Sequence, residues 1–251
     1  MARIVKEHTV RRNEILDAAQ RLIYTKGYER MTIQDILDDL QISKGAFYHY
    51  YSSKQALLEA LIERMIDEAE VLLNPIIQAP HLSAFEKLNG YFETAARWKT
   101  DQKDYLLALL HGWYSDDNAI VRQKVFASAS KRITPALTGI IDQGVQEGVF
   151  ITPYPECVGD VVFSLFQNLG DAFADLLLSS EPKPDALLNA QRIVAAYGDA
   201  LERILGASTG SLNLIDAETL KEWFPSLEDN PVITSEQRLK ELEIPAYREG
   251  S

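Results

Sequence analysis

Apolar residues return every third or fourth position through almost the whole of this chain, and that period dictates helices. In VRRNEILDAAQRLIYTKG, Ile15, Ala18, Ala19, Leu22 and Ile23 share one face of a first helix, and Gly27 stands where a C-terminal cap belongs. A short second helix opens at Thr32, which has Asp35 at capping-box spacing; Ile33, Ile36, Leu37 and Leu40 form its apolar stripe. After Gln41-Ile42-Ser43, Ser43 caps a third helix from Lys44 to about Tyr50. Ser53 caps a fourth, running through Leu57, Leu58, Leu61 and Met65 toward Leu72, with Pro75 and Pro80 closing the segment. From Leu82 to about Ser208 every segment is again helical, and no period-two run of β-branched residues competes. The expected fold class is all-α.

Two short helices joined by a three-residue turn behind a longer one make a helix-turn-helix. The expected organisation is a three-helix domain at 1–54 and a helical bundle at 55–209 whose first helix connects the two. A tail at 210–251 carries Pro225, Pro231 and Pro245. In that tail Asp216 caps a short helix whose Leu220, Trp223 and Phe224 need something to pack on. The last two bundle helices, at about 156–179 and 184–208, are apolar over more than one face, as an interface with a second copy of the chain requires.

A net charge of −12 argues against nucleic acid until its distribution is considered. Residues 1–54 hold nine Lys and Arg against seven Asp and Glu, leaving 16 against 30 for the rest, so a basic end sits on an acidic body and meets a different partner. The single cysteine, Cys157, rules out an intrachain disulfide and reads as a small buried hydrophobe. With four scattered histidines, no metal-ligand spacing exists, and neither metal nor cofactor is expected. No nucleophile set, phosphate-cradling glycine loop or Glu-x-x-His pair is present, which excludes an enzyme. The expected location is cytoplasmic without a membrane, since no apolar run of about 20 residues or signal-peptide core stands out.

The run SKGAFYHYYSSK at 43–54 places Tyr48, His49, Tyr50 and Tyr51 consecutively between two lysines. A helix there buries Phe47 and Tyr51, four apart, and turns Lys44, Tyr48 and, on its flank, His49 and Tyr50 outward. The Thr32 hydroxyl, the free N–H groups of the second helix, the Lys54 ammonium and the Tyr48 and Tyr50 phenols suit phosphate contacts. Base edges would meet the front of the third helix: Lys44 donates to guanine, Gly45 admits close backbone approach, the Ala46 methyl meets a thymine methyl, and His49 donates or accepts.

Taken together, the Ile-Leu-x-Ala-Ala helix ending at Gly27-Tyr28, Thr32 with Ile36, Ser43-Lys44-Gly45, the aromatic run Phe47–Tyr51, and Ser53-Lys54 before Leu57-Leu58 resemble the DNA-binding domain of the tetracycline-repressor (TetR) family over about 60 residues. The resemblance implies an all-α homodimer with a ligand pocket in its C-terminal bundle and a four-helix interface made by the last two helices. It also implies a pseudo-palindromic operator, with release of the repressor by a small molecule. By position it implies DNA contacts at Thr32, Ser43, Lys44, Gly45, Ala46, Tyr48, His49, Tyr50 and Lys54. Two departures are Ala46, where some members carry a polar base reader, and His49-Tyr50, which reverses the common order.

Beyond that domain only composition speaks. Trp98, Tyr105, Trp113, Tyr114, Phe163, Phe166 and Phe173, with Gln167, Asn168 and His111 as polar contacts, suit an apolar or aromatic effector of modest size. Each ring taken singly also fits an ordinary core position, and the acidic surplus reads as solvated surface rather than a cation site. The competing organisation keeps the DNA-binding domain and makes the body a protein-interaction module without a pocket.

Overall fold

In the computed structural model, which describes residues 8–179 and 185–225, every regular element is helical. Arg3, Lys6, Pro231, Pro245 and the expected helix start at 184 lie outside the described residues. The N-terminal unit comprises α1 (His8–Lys26), α2 (Ile33–Leu40) and α3 (Lys44–Tyr48), followed by α4 (Lys54–Ile77). The body adds α5 (Ala84–Asp101), α6 (Lys103–Tyr114), a 3-10 turn at Asp116–Asn118, α7 (Ala119–Gln146), α8 (Pro155–Leu178), α9 (Ala186–Leu205) and α10 (Ala217–Trp223).

The local signals act as their chemistry requires. Gly27 takes φ +78° after α1, a left-handed conformation that costs glycine little. Thr32 and Asp35 close a reciprocal capping box on α2, as Ser83 and Glu86 do on α5. Two boundaries differ from expectation. Pro75 does not stop α4, which runs on to Ile77; so near the helix end a missing N–H costs one bond, and the Gln78 N–H still reaches the Asn74 carbonyl at 2.9 Å. The third helix stops at Tyr48, because the Tyr50 and Tyr51 N–H groups both turn back to the Phe47 carbonyl.

The core of the N-terminal unit does not end with it. Ile15, Ala19, Met31, Ile36, Phe47, Leu57 and Leu61 pack in one cluster with Tyr105 and Leu109 of α6 and Val121 and Val125 of α7. The joint is Tyr28: its N–H donates to the Ala108 carbonyl at 3.2 Å, and its ring fills the space beside Gly112, where a Cβ would stand 2.1 Å from a ring carbon. Burial pushes the Tyr28 hydroxyl up to about 12. The two units therefore share a wall.

The body's own core joins α4, α5, α7, α8 and α9. Helices α7 and α8 approach closely at Gly159, where a Cβ would lie 2.1 Å from the Thr138 hydroxyl. Arg132 of α7 clamps α4 through Glu63, Asp67 and Glu70 at 2.6–3.1 Å. Residues 210–225, the start of the tail whose role the sequence left open, pack on this body. The buried Glu202 carboxylate accepts from the Gly210 and Leu212 N–H groups at 2.9 Å each, Leu212 and Leu214 are buried, and α10 packs Leu220 and Phe224 against Ala190. A seven-residue helix has too short a pattern to reveal its docking site.

Cys157 is exposed on α8, contrary to expectation: the helix turns Val158 and Val162 inward and leaves position 157 on the outer side. The Gly112 contact yields a test. Gly112→Ala should overpack Tyr28 and lower stability by about 1–3 kcal/mol, whereas Gly139→Ala, with open space at its Cβ, should leave the thermal midpoint unchanged or raised.

Candidate functional site

The outer face of α3 carries what the sequence placed there. Phe47 and Tyr51 are buried; Ser43, Lys44, Gly45, Tyr48 and His49 are exposed, and Ala46 and Tyr50 half-buried. Tyr48 keeps 43% of its surface, enough for its phenol to reach outward, with the Lys44 ammonium 5.9 Å from its ring. Lys44 has no carboxylate partner among the described residues, so its charge is free for a phosphate or a base edge. The Ser43 hydroxyl accepts the Ala46 N–H at 3.2 Å, which fixes the start of α3. A Cβ at Gly45 would meet nothing within 4 Å, and its φ is not in the left-handed region, so no internal contact demands glycine there.

Two of the expected phosphate contacts, Thr32 and Lys54, also make bonds within the protein. The Thr32 N–H and hydroxyl donate to Asp35 at 2.8 and 2.9 Å, and Lys26 pairs with the same carboxylate at 2.7 Å. These bonds hold Asp35 down at about 2, the Lys26 bond contributing most. Because that value is below the unfolded one, the cap is complete above roughly pH 4 and is lost only as pH falls toward 2. Lys54 lies over the Tyr28 ring at 4.3 Å and donates to the Glu29 carbonyl at 3.2 Å; loss of solvent lowers its ammonium below the usual lysine range. As it stands, Lys54 is a strut between α4 and the Tyr28 joint. One residue absent from the sequence reading joins the face: His8, in the first turn of α1, sets its ring 4.7 Å from Tyr50 and 5.7 Å from His49. A ring 40 residues away in the chain gives no local signal of that contact.

Inside the body lies a cavity of about 480 Å³, within the usual range of about 300–1,000 Å³ for small-molecule sites. Helices α4 to α8 and residues 214–223 line it. Trp98, Trp113, Tyr114, Phe163, Phe166, Gln167 and Phe173 all face it. Tyr105, His111 and Asn168 do not. Tyr105 turns into the core shared with the N-terminal unit, His111 occupies the solvent side of α6, and Asn168 is exposed on α8, donating to the Ser164 carbonyl at 2.8 Å. At 100° per residue, α6 presents Leu106, Leu110 and Trp113 to the cavity and Tyr105 and Gly112 toward the N-terminal unit, with Leu109 between them touching both, which leaves His111 outside. Tyr114 donates to Asp171 at 2.7 Å, and burial drives its hydroxyl upward. Trp223 of α10 covers one side, its indole N–H donating to the Thr100 hydroxyl at 2.9 Å.

Residues 15–61 match the family described as bacterial regulatory proteins, tetR family, and residues 111–175 match the tetracyclin repressor-like C-terminal domain. The chain belongs to the TetR family. Among its relatives, an uncharacterized HTH-type transcriptional regulator of Bacillus subtilis, YfiR, is 28% identical over 57% of this chain and 71% of its own. The HTH-type transcriptional repressor KstR2 of Mycobacterium tuberculosis is 23% identical over 67% of this chain and 82% of its own. The fold is that of a TetR-family regulator from Pectobacterium atrosepticum, with a TM-score of 0.60 and 17% identity over 80% of this chain and 98% of that one. A transcriptional regulator from Cytophaga hutchinsonii superposes with a TM-score of 0.58 and 19% identity over 77% and 97%. TetR-family proteins are DNA-binding transcription regulators and not enzymes. The helix-turn-helix of this TetR-family chain is thus α2 and α3.

Gly45 separates binding from folding. Gly45→Ala should leave the thermal midpoint unchanged or raised, because the added methyl meets open space in the protein, while weakening binding to a promoter duplex in fluorescence anisotropy if the backbone there lies against DNA.

Proposed function

We propose that the chain is a cytoplasmic, homodimeric repressor that grips a pseudo-palindromic operator with α3 and lets go when a small apolar molecule fills the body cavity. In this reading Ser43, Lys44, Gly45, Ala46, Tyr48, His49 and Tyr50 meet DNA, while Thr32 and Lys54 hold the reading head from behind and approach phosphate at its edges. Trp98, Trp113, Tyr114, Phe163, Phe166 and Gln167 contact the effector.

The observation that carries the proposal is the two-sided role of α6. One of its faces is cavity wall and the other is the seat of Tyr28, which Lys54 ties to the start of α4. A ligand that pushes on α6 thereby acts on the spacing of the two recognition helices, and a difference of about 1–3 kcal/mol in its affinity for the two arrangements suffices for control. The cavity is also the reason to prefer this reading over a body that only docks proteins.

Support for a dimer comes from α8. By length and composition it is the one described helix apolar enough to cross a membrane, nearer to that limit than the sequence reading allowed. Its most apolar stretch has a mean hydropathy of 1.3 with only 22% of it buried. Val161 and, on α9, Leu188 are each 44% exposed, so a second copy covering this face would remove apolar surface from water. Light scattering on the purified protein should give twice the chain mass. Val161→Glu should shift it toward the monomer and lower operator affinity at least tenfold, because one half-site cannot hold the complex.

A further inference from the structure

The cavity wall contains two charged residues among the described ones, Glu70 and Lys99. They are not equivalent. Glu70 is committed to Arg132, which reaches both its oxygens at 2.7 and 2.6 Å. Lys99, in the last turn of α5, has no carboxylate, hydrogen-bond or aromatic partner among the described residues. The residue is exposed and lines the cavity, while protein packs closely around its ammonium. It projects from the same helical face as Phe92, Ala95 and Ala96, which also line the space. Loss of solvent around the ammonium lowers it below the ordinary lysine range. The negative end of α5 is the compensation the fold offers.

An ammonium without a counter-charge on an otherwise apolar wall gives a ligand's carboxylate a partner in this cavity. We infer that the effector is an amphipathic organic acid, with an apolar chain or ring system in the aromatic part of the cavity and a single carboxylate paired with Lys99. One ammonium, with no guanidinium fork beside it on the cavity wall, matches a single negative charge better than a doubly charged phosphate. The acidic exterior gives the opposite expectation, a cation, but that charge lies on the solvated surface, whereas the cavity wall holds one neutralised carboxylate and one free ammonium.

This inference rests on the effector-cavity reading, and a matched pair of probes tells the two apart. Binding of sodium decanoate and of decan-1-ol to the full-length protein is measured by calorimetry at pH 7.5, with the chain length held constant and only the head group changed. Decanoate should bind at least tenfold tighter than decan-1-ol. Lys99→Met should abolish that preference, and Lys99→Arg should retain it. Equal affinities in the unmodified protein, or a preference that survives Lys99→Met, would overturn the charge pairing and leave an apolar cavity in place. Failure of both probes to bind would remove the carboxylate proposal together with the effector reading beneath it.

Discussion

One aromatic ring seated against one glycine joins the N-terminal unit to the body. Tyr28 leaves the N-terminal unit at the end of α1 and occupies the volume that any side chain at position 112 would need. Arg64 of α4 also bonds Asp17 and Gln20 of α1 at 2.7 and 2.6 Å, so the Tyr28 contact is one of several that hold α1 to α3 against the body. With it, α6 becomes a common wall, and the apolar core passes from Phe47 and Leu57 to Leu109 and Val125 without a break. A core of this kind repacks between discrete arrangements rather than bending smoothly, which is what a switch requires.

Electrostatics follow the same partition. Three basic side chains of the N-terminal unit are already spent on internal pairs, Arg11 with Glu14, Arg21 with Asp39 and Lys26 with Asp35, and Asp17 pairs with Arg64 of α4. Such pairs contribute little to stability at an exposed surface, but they subtract from the field available to a phosphate rail. What remains on the reading face is Lys44, hydroxyls, ring nitrogens and close backbone. Under the proposed reading, recognition leans on fit more than on bulk positive charge.

Much of this was legible in the residues because the informative patterns are local. The capping box at Thr32, the cap at Gly27 and the inward pair Phe47 and Tyr51 each depend on neighbours within four positions, and each stands where its spacing puts it. The misreadings share the opposite cause. Pro75 does not end α4, because a proline's effect depends on how many turns follow it. Cys157 departs from the general habit of cysteine, because its position on α8 turns it outward. Composition groups His111 and Tyr105 with the cavity rings, yet α6 turns Tyr105 toward the N-terminal unit and leaves His111 outside the cavity. Lys99 carried no signal at all, since an isolated lysine near a helix end looks like solvated surface until the helices around it are assembled.

What the sequence determined alone is the helical period, the break between α2 and α3, and the outward set of lysine, phenol and imidazole that marks a reading head, since these arise within a few residues of chain. Tertiary structure decided which side of each helix meets what: that α6 serves both the cavity and Tyr28, that residues 210–225 pack on the body, and that Lys54 braces the Tyr28 ring. The physical reason is that a helix offers its whole circumference to packing, and only the arrangement of the other helices selects which part becomes core, cavity or surface.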